Sequence, residues 1–591
     1  MHEILELSKK VFSYFNKKDK IEFYRLQFLV FFMSICELAS VAIIVPFMAV
    51  ASDPSKIYTN NFLSKIFDLS GLEEWSFLLF LGLSIIFFLF LSMLNSINTN
   101  WLLFKFSSYI NSKIVSQLYE SHINQDWLFH TRNKSSESIH LIISESKRLG
   151  DYVITPLFIL LTKLIFTTIL FTAAIIYDPL ISSAGILIFT LSYILIFFKA
   201  KSSLNLNDLT ILKADLNRNS IIANSLNGVK DLIFYGKQSF YSKIVLNANN
   251  EFASSKSMNL TIGAAPRYFV EFILFSSVVG LIVFLLNQNQ NDFNAAIPQL
   301  SAFFIISVKL LPAFQTIYST FVQIKGNISS YRIIEKTLKT HITNEGKNIS
   351  KKIGFKHNII FENINFKYPN TKNYVLSDLN FEIKKDSMVG IVGMSGSGKS
   401  TIIDILTGMI KPSTGYVKLD GEKLSDINVY SFRKKIGLVH QNSFLMDGTI
   451  KENIIFGFDD FDKNKINQAV SNAGLSDFIR SLPDGLNTKI GNNAVQLSGG
   501  QKQRISIARA LYGTKNIIIF DEATSALDGI VENEILENFS SMKDKTRIII
   551  SHKLTNLKNC DSINIISNGK IIQSGTYDEL KLNEPQFKKL A

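Results

Sequence analysis

The chain has 591 residues, 47% of them hydrophobic with 48 Phe, only two cysteines, and a formal net charge of +13. Long apolar runs at this frequency exclude a single water-soluble domain and a disordered chain, and two cysteines exclude a disulfide-built secreted scaffold. The positive balance fits basic cytosolic loops beside anionic lipid headgroups better than it fits nucleic acid, so membrane lipids are expected partners and nucleic acid is not.

The segment from Met1 to Ile21 lacks an apolar core, so no cleavable signal is expected there. It carries Lys9, Lys10, Lys17, Lys18 and Lys20, with Arg25 just beyond. Almost all long apolar runs precede residue 325. Six stretches, 26–50, 76–98, 154–177, 180–200, 262–286 and 297–322, are each long enough as helices to cross about 30 Å of hydrocarbon. The Asp178-Pro179 turn and the loop Asn287 to Ala296 contain no Lys or Arg, which places the basic arm and the C-terminal half inside. Residues 51–75, 178–179 and 287–296 then face outward. Within the first of these, Phe62, Leu63, Ile66 and Phe67 share a helical face opposite Asn60, Asn61, Ser64 and Lys65. Such a short interfacial helix either holds an acyl or polyprenyl tail or caps the bundle.

The mixed segments 99–153 and 201–258 are too long for turns and are predicted as cytosolic helical extensions. Each should bend back, around Asn124 to Ser138 and around Ser225 to Gln238. Inside the predicted spans lie Glu37, Lys163, Arg267, Glu271 and Lys309. A charge at mid-helix costs about 2.5 to 3.5 kcal/mol on insertion scales, so each should face a cavity or a partner. Arg267 and Glu271 are spaced to neutralise one another on a helix. Lys309 has no acidic neighbour in sequence and precedes Pro312, where a kink is predicted. Arg267 suits bidentate contact with a phosphate, with Lys309 and Lys163 as point charges, and these three are the candidate substrate residues. Asn95, Asn98 and Asn100 add hydrogen-bonding capacity suited to sugar hydroxyls. Cys36 and Cys560 fall in separate regions, which argues against a disulfide, and Cys560 reads as a buried thiol.

After residues 337–358, read as a linker, composition becomes that of a soluble α/β domain over 359–591. The apolar strand Met388 to Val392 runs into Gly393-Met394-Ser395-Gly396-Ser397-Gly398-Lys399-Ser400-Thr401. Strand, glycines, Lys-Ser and following helix together spell a phosphate loop. The glycines let backbone N–H groups close on phosphate oxygens, Lys399 adds a charge for the β/γ-phosphates, and Ser400 offers a hydroxyl to Mg²⁺. The cofactors expected are therefore ATP and Mg²⁺. A second buried strand, Ile517 to Phe520, delivers Asp521 for Mg²⁺ and Glu522 to orient the attacking water. Between the two lies the turn Leu497-Ser498-Gly499-Gly500-Gln501 before a basic helical stretch.

The ordered set of Gly393 to Ser400, Gln441, Leu497 to Gln501, Phe520 to Glu522, Ser525 to Asp528 and His552 resembles the ATP-binding cassette of ABC transporters. That resemblance implies a membrane all-α domain of six helices in the type I exporter fold (1–336), followed by an α/β P-loop NTPase. It implies that Tyr368 stacks on adenine, Gln441 reaches Mg²⁺ and the attacking water, and His552 contacts the γ-phosphate and helps position Glu522. It further implies that Ser498 to Gln501 contact ATP held by the opposite subunit and that Asp528 links the two sites. One phosphate loop and one signature turn, Ser498 to Gln501, per chain then call for a homodimer with two equivalent hydrolytic sites. The bends in the extensions are the coupling helices of that fold, with Trp127 and Tyr235 in them, and Asn492 stands where many such exporters have glutamate.

Across the chain the sequence is also similar to bacterial lipid-linked oligosaccharide flippases of the PglK type. The similarity lies in Glu37 to Asp53 with Val45-Pro46-Phe47, in Ala265 to Tyr268 with Glu271, in Lys309 to Pro312, and in Ala494 to Arg509. It implies a polyprenyl-pyrophosphate glycan as cargo, moved from the cytosolic to the outer leaflet of a bacterial inner membrane. A generic exporter of lipid A, drugs or peptides is the alternative, followed by an ATP-gated channel or regulator.

Overall fold

The computed structural model describes residues 2–583 apart from 53, 60, 178, 289–292, 342–350, 370, 427, 442, 458–460, 492–495 and 514. Its contacts fall into two units, one comprising Met1–Gln125 with Arg132–Ile342, the other Asp126–Thr131 with Thr343–Ala591.

The first unit is helical, and every predicted spanning stretch lies within helix apart from single turns. The helices Glu74–Ile123, Pro179–Asn227 and Gln238–Gln288 have 50, 49 and 51 residues. At 1.5 Å per residue each is about 75 Å long, more than twice the thickness of a hydrocarbon core, so the span and its extension form one continuous helix. Among the described residues, two stretches, Glu74–Ile123 and Ser135–Ile176, are long and apolar enough to cross a membrane by length and composition.

Three local departures follow from particular residues. The first predicted span is broken at Ile43 into Lys17–Ala42 and Ile44–Ser52, with Pro46 in the first turn of the second piece, where its missing N–H costs nothing. The predicted kink at Pro312 does not break the assigned helix, which runs through Phe293–Lys325. Two wide π-turns, His140–Glu145 and Gly150–Ile154, precede the helix Thr155–Tyr177.

The helix Asn61–Ser70, in the segment expected to face outward, caps the bundle. Leu63 is buried with Val50, Ile57, Phe77 and Leu81, and Ile66 and Phe67 pack on the same cluster. Those side chains are therefore committed to helix contacts and are not free for a lipid tail. The side chain of Phe62 lies outside the described residues.

Deeper in the first unit, Arg148 is a buried hub. It donates to Asp208 Oδ1 at 2.5 Å and to Asn327 Oδ1 at 2.8 Å, while Asp208 accepts from the backbone and hydroxyl of Ser329 at 3.0 and 2.6 Å. The predicted bends are present as short helices, Trp127–Arg132 and Val229–Phe234. Trp127 and Tyr235 are exposed rather than packed, whereas Leu128, within the Asp126–Thr131 segment of the second unit, packs with that unit's own core.

In the second unit, a six-stranded sheet runs in the order Lys570–Gly575, Ser562–Ser567, Met388–Gly393, Thr546–Ile550, Ile517–Asp521 and Ile436–Val439. All pairs but the first are parallel. A parallel sheet is covered on both faces, which is why these strands are near-continuous runs of Ile and Val. An antiparallel sheet of Leu376–Lys384, Asn358–Phe366, Thr414–Leu419 and Glu422–Lys423 packs through a second core. The C-terminal ends of Met388–Gly393 and Ile517–Asp521, separated by one strand, bring Gly393 and Asp521 to the same edge. Cys560 is buried, which pushes its thiol up to about 12.

Candidate functional site

The phosphate loop leaves the central strand at Gly393 because nothing larger fits. A Cβ there would lie 2.4 Å from the carbonyl oxygen of Ile566 and 2.6 Å from Ser397 Oγ. Gly396 and Gly398 have φ of +80° and +104°, in the left-handed region, and a Cβ on Gly396 would meet only open space. Lys399–Leu406 begins the helix directly after the loop, with Lys399 Nζ donating to the carbonyls of Gly393 and Met394 at 2.8 and 3.1 Å. Burial lowers the Lys399 ammonium from its ordinary value, opposed by the charges of Glu522 and Asp521. Ser397 is buried, and its Oγ has no hydrogen-bond partner among the described residues. An open cradle with an orphaned hydroxyl, a lysine and a helix N-terminus fits a polyphosphate. Ser400 Oγ and the Asp521 carboxylate are the oxygen donors that suit Mg²⁺.

Asp521 and Glu522 are neighbours in very different settings. Burial pushes Asp521 up to about 6, with Glu522 adding to the rise and Lys399 opposing it. Glu522 adopts φ +50°, uncommon for a non-glycine residue, held by its N–H on the carbonyl of Ile550 at 3.1 Å. That turn presents its carboxylate between two partners: Oε2 accepts from Gln441 Nε2 at 2.7 Å, and Oε1 lies 2.7 Å from His552 Nε2. The three predicted catalytic residues, 441, 522 and 552, are thus in direct contact.

Tyr368 is half-buried, its ring edge-on to Phe366 at 5.0 Å and its hydroxyl 3.3 Å from Thr401 Oγ1. Ser498 caps the helix Gly499–Leu511 through a reciprocal pair with Gln501, at 2.9 and 3.2 Å. A Cβ on Gly500 would press to 3.1 Å on the carbonyl of Ala526, so the signature turn packs on the segment leading to Asp528. Asp528 precedes Gly529–Ser541 without a side-chain cap bond. Asn492 lies outside the described residues.

Sequence reasoning did not find Gln503, which donates to the Glu522 carbonyl at 3.4 Å and accepts from the N–H of Ala526 at 3.1 Å. It also passed over Glu532, whose Oε1 accepts from Thr524 and Asn556 at 2.8 Å each and whose Oε2 accepts from Lys553 at 2.6 Å. The available signal was position: Glu532 comes four residues after Asp528, and Lys553 immediately follows His552.

The predicted substrate residues each have a partner of their own. Arg267 Nε donates to Glu271 at 2.7 Å, and Lys309 Nζ lies 3.9 Å from Glu37, a partner that no sequence spacing indicated. Lys163 Nζ sits 5.5 Å from the centre of the Phe166 ring. Two of the three cations are therefore ion-paired. A cavity of about 620 Å³ in the first unit is lined by none of these three; its charged residues are Lys147, Arg148, Arg218 and Lys256 with the acidic Asp151 and Asp215, a net positive wall. Arg218 pairs with Asp215, and Arg148 with Asp208.

Residues 42–308 match the family model described as the ABC transporter transmembrane region, and residues 376–525 match the one described as ABC transporter. The chain is 41% identical over 276 residues to the ATP-dependent permease MDL1 of Candida albicans, covering 45% of this chain and 40% of that protein. It is 39% identical over 231 residues to the putative multidrug export ATP-binding/permease protein YgaD of Bacillus subtilis (strain 168), covering 39% and 40%. It is 43% identical over 236 residues to the alpha-hemolysin translocation ATP-binding protein HlyB of Escherichia coli O157:H7, covering 40% and 33%. The matched stretch thus spans well under half the length of these relatives. A solved bacterial Atm1-family ABC exporter with ATP bound superposes with a TM-score of 0.80 at 22% identity, over 96% of this chain and 97% of that one. In its matched regions and in its fold, the chain has the architecture of a type I ABC exporter, a transmembrane region fused to one ATP-binding cassette.

Proposed function

We propose that the chain hydrolyses ATP and couples that reaction to export of an anionic amphiphile. The finer reading is a polyprenyl-pyrophosphate glycan moved from the cytosolic to the outer leaflet of a bacterial inner membrane. In this reading 1–336 form the membrane domain, 337–358 the linker and 359–591 the cassette. A homodimer supplies each site with one phosphate loop and one signature turn, because one chain carries a single copy of each.

The observation that carries the ATPase reading is Glu522, fixed between Gln441 and His552 at the sheet edge that also presents the phosphate loop. Its carboxylate is positioned to orient a water and take its proton, with His552 and Gln441 restricting its rotamer. Mg²⁺ held by Ser400 and Asp521, with Gln441 in reach of the same region, would neutralise phosphate charge. The Gly393–Gly398 backbone and Lys399 bind the phosphates, and Tyr368 stacks on the adenine base. Ser498 to Gln501 form an exposed helix N-terminus suited to a phosphate supplied by the partner.

Support for an anionic cargo comes chiefly from the cavity. Lys147 and Lys256 stand on its wall without an ion pair among the described residues, beside the paired Arg148 and Arg218. Arg267, Lys309 and Lys163 contribute only if Arg267 and Lys309 exchange Glu271 and Glu37 for the headgroup. The generic reading, export of an amphipathic drug or peptide, draws on the apolar part of the same wall, Ile211, Phe252, Leu260 and Val322.

Reconstituted vesicles carrying a fluorescent polyprenyl-pyrophosphate glycan separate the two. ATP-dependent loss of label from one leaflet is expected, and Lys147→Ala with Lys256→Ala should slow it more than it slows hydrolysis without cargo. Stimulation of hydrolysis by amphipathic drugs, with no movement of the glycan, would refute the finer reading and leave the exporter.

A further inference from the structure

The segment that carries His552 is anchored by a buried carboxylate. Glu532 is 5% exposed and sits on the helix Gly529–Ser541. One of its oxygens accepts from Thr524 Oγ1 and Asn556 Nδ2, both at 2.8 Å, and the other from Lys553 Nζ at 2.6 Å. Thr524 is two residues after Glu522. Lys553 is the residue after His552, and Asn556 lies in the short turn Leu554–Leu557 that follows. The segment is further tied by Ser551 Oγ, which accepts from the Lys553 N–H at 3.0 Å and from Asn556 Nδ2 at 3.3 Å.

We propose that Glu532 is a positioning residue for ATP hydrolysis, holding the His552 segment and the Glu522 segment in register so that His552 reaches the Glu522 carboxylate. The inference rests on the ATPase reading above. The geometry is specific. Both segments leave adjacent parallel strands, Ile517–Asp521 and Thr546–Ile550, and past the bond from the Glu522 N–H to the Ile550 carbonyl only side chains join them among the described residues, including a long bond from Asn556 Nδ2 to Thr524 Oγ1 at 3.4 Å. Glu532 bridges them there, with Thr524 on one side and Lys553 and Asn556 on the other. Burial alone would raise the Glu532 carboxyl, yet the bonds from Lys553, Asn556 and Thr524 hold it below its ordinary value, so the anion is the form the site retains. The 2.7 Å contact between His552 and Glu522 requires both segments to be placed to a few tenths of an ångström, and a displacement of about 1 Å suffices to cost of order a hundredfold in rate. Neither Glu532 nor Lys553 is part of the phosphate loop, so nucleotide affinity should not depend on them.

The test uses the full chain in lipid nanodiscs, with steady-state phosphate release against ATP concentration and thermal unfolding measured in parallel. Glu532→Gln keeps the shape and can still accept from Thr524 and Asn556, but presents an amide to Lys553. Lys553→Met removes the same link from the more exposed end, which tolerates truncation. Each single variant is expected to lower kcat about tenfold with KM for ATP within about twofold. The double variant should be no slower than the slower single one, because both remove one interaction. A normal kcat in either single variant, multiplying losses in the double variant, or a raised KM together with a lowered unfolding midpoint would each overturn the positioning role. Absence of ATP turnover by the unmodified chain would instead sink the ATPase reading itself, which separates the two failures.

Discussion

Replacing Glu522 by Gln isolates the acceptor from its surroundings. The two carboxylate oxygens lie 2.7 Å from His552 Nε2 and from Gln441 Nε2. The amide has the same size, and a neutral imidazole can accept from its NH2 at Nε2 while its oxygen still accepts from Gln441, so the contacts can persist while no group remains to take the proton from water. A positioned general base contributes about 10²–10⁴-fold, which at about 1.36 kcal/mol per decade corresponds to about 2.7–5.4 kcal/mol of barrier. The backbone at 522 is fixed by bonds to Ile550 and Gln503 that do not involve the side chain. Nucleotide affinity should therefore stay within about threefold, the pattern of an interaction made in the transition state. Phosphate release from the purified chain, compared with equilibrium binding of a fluorescent ATP analogue, reads both quantities. Turnover within tenfold of the unmodified chain, or affinity lost in proportion to rate, would refute the assignment of Glu522 as base.

Two further outcomes test the scaffold beneath the site. Gly437→Ala places a Cβ 2.2 Å from the carbonyl oxygen of Ala510, at the contact between the strand leading to Gln441 and the signature helix. It is expected to destabilise the cassette by about 1–3 kcal/mol, read as a lowered thermal unfolding midpoint, and an unchanged midpoint would show that this contact yields freely. Asp404, half-buried on the helix after the phosphate loop, is pushed up to about 6 by burial and by the charge of Asp521. A raised carboxyl favours folding while protonated, so its cost is absent below about pH 4, grows as the pH rises to about 6 and is constant above. The rise from 3.8 to about 6, discounted for partial solvent exposure, leaves a cost of about 1 kcal/mol at neutral pH. Asp404→Asn should thus raise the unfolding midpoint at pH 7.5, with a smaller gain at pH 4.5. An equal gain at both values would place the effect elsewhere.

The sequence by itself determined what depends on local pattern. Glycines 393, 396 and 398 with Lys399 and Ser400 announce a phosphate loop because backbone conformation and helix start are set within nine residues. Apolar runs announce spanning helices because the bilayer demands that every backbone group bond within its own segment. Even the bends near residues 127 and 229 were legible from segment length alone.

Tertiary structure alone decided what depends on the other side of a contact. Lys309 finds Glu37 across 272 positions of sequence, so a cation that looked unpaired is paired. Leu63, Ile66 and Phe67 looked available to a lipid tail until Val50, Phe77 and Leu81 covered them. Glu532 carried no motif, yet it joins the segments of Glu522 and His552, and the basic cavity draws Lys147, Arg218 and Lys256 from three different helical segments. Periodicity reports which face of an element is apolar or charged. Which partner meets that face is fixed only when the chain folds and long-range packing chooses among faces that local chemistry leaves equivalent.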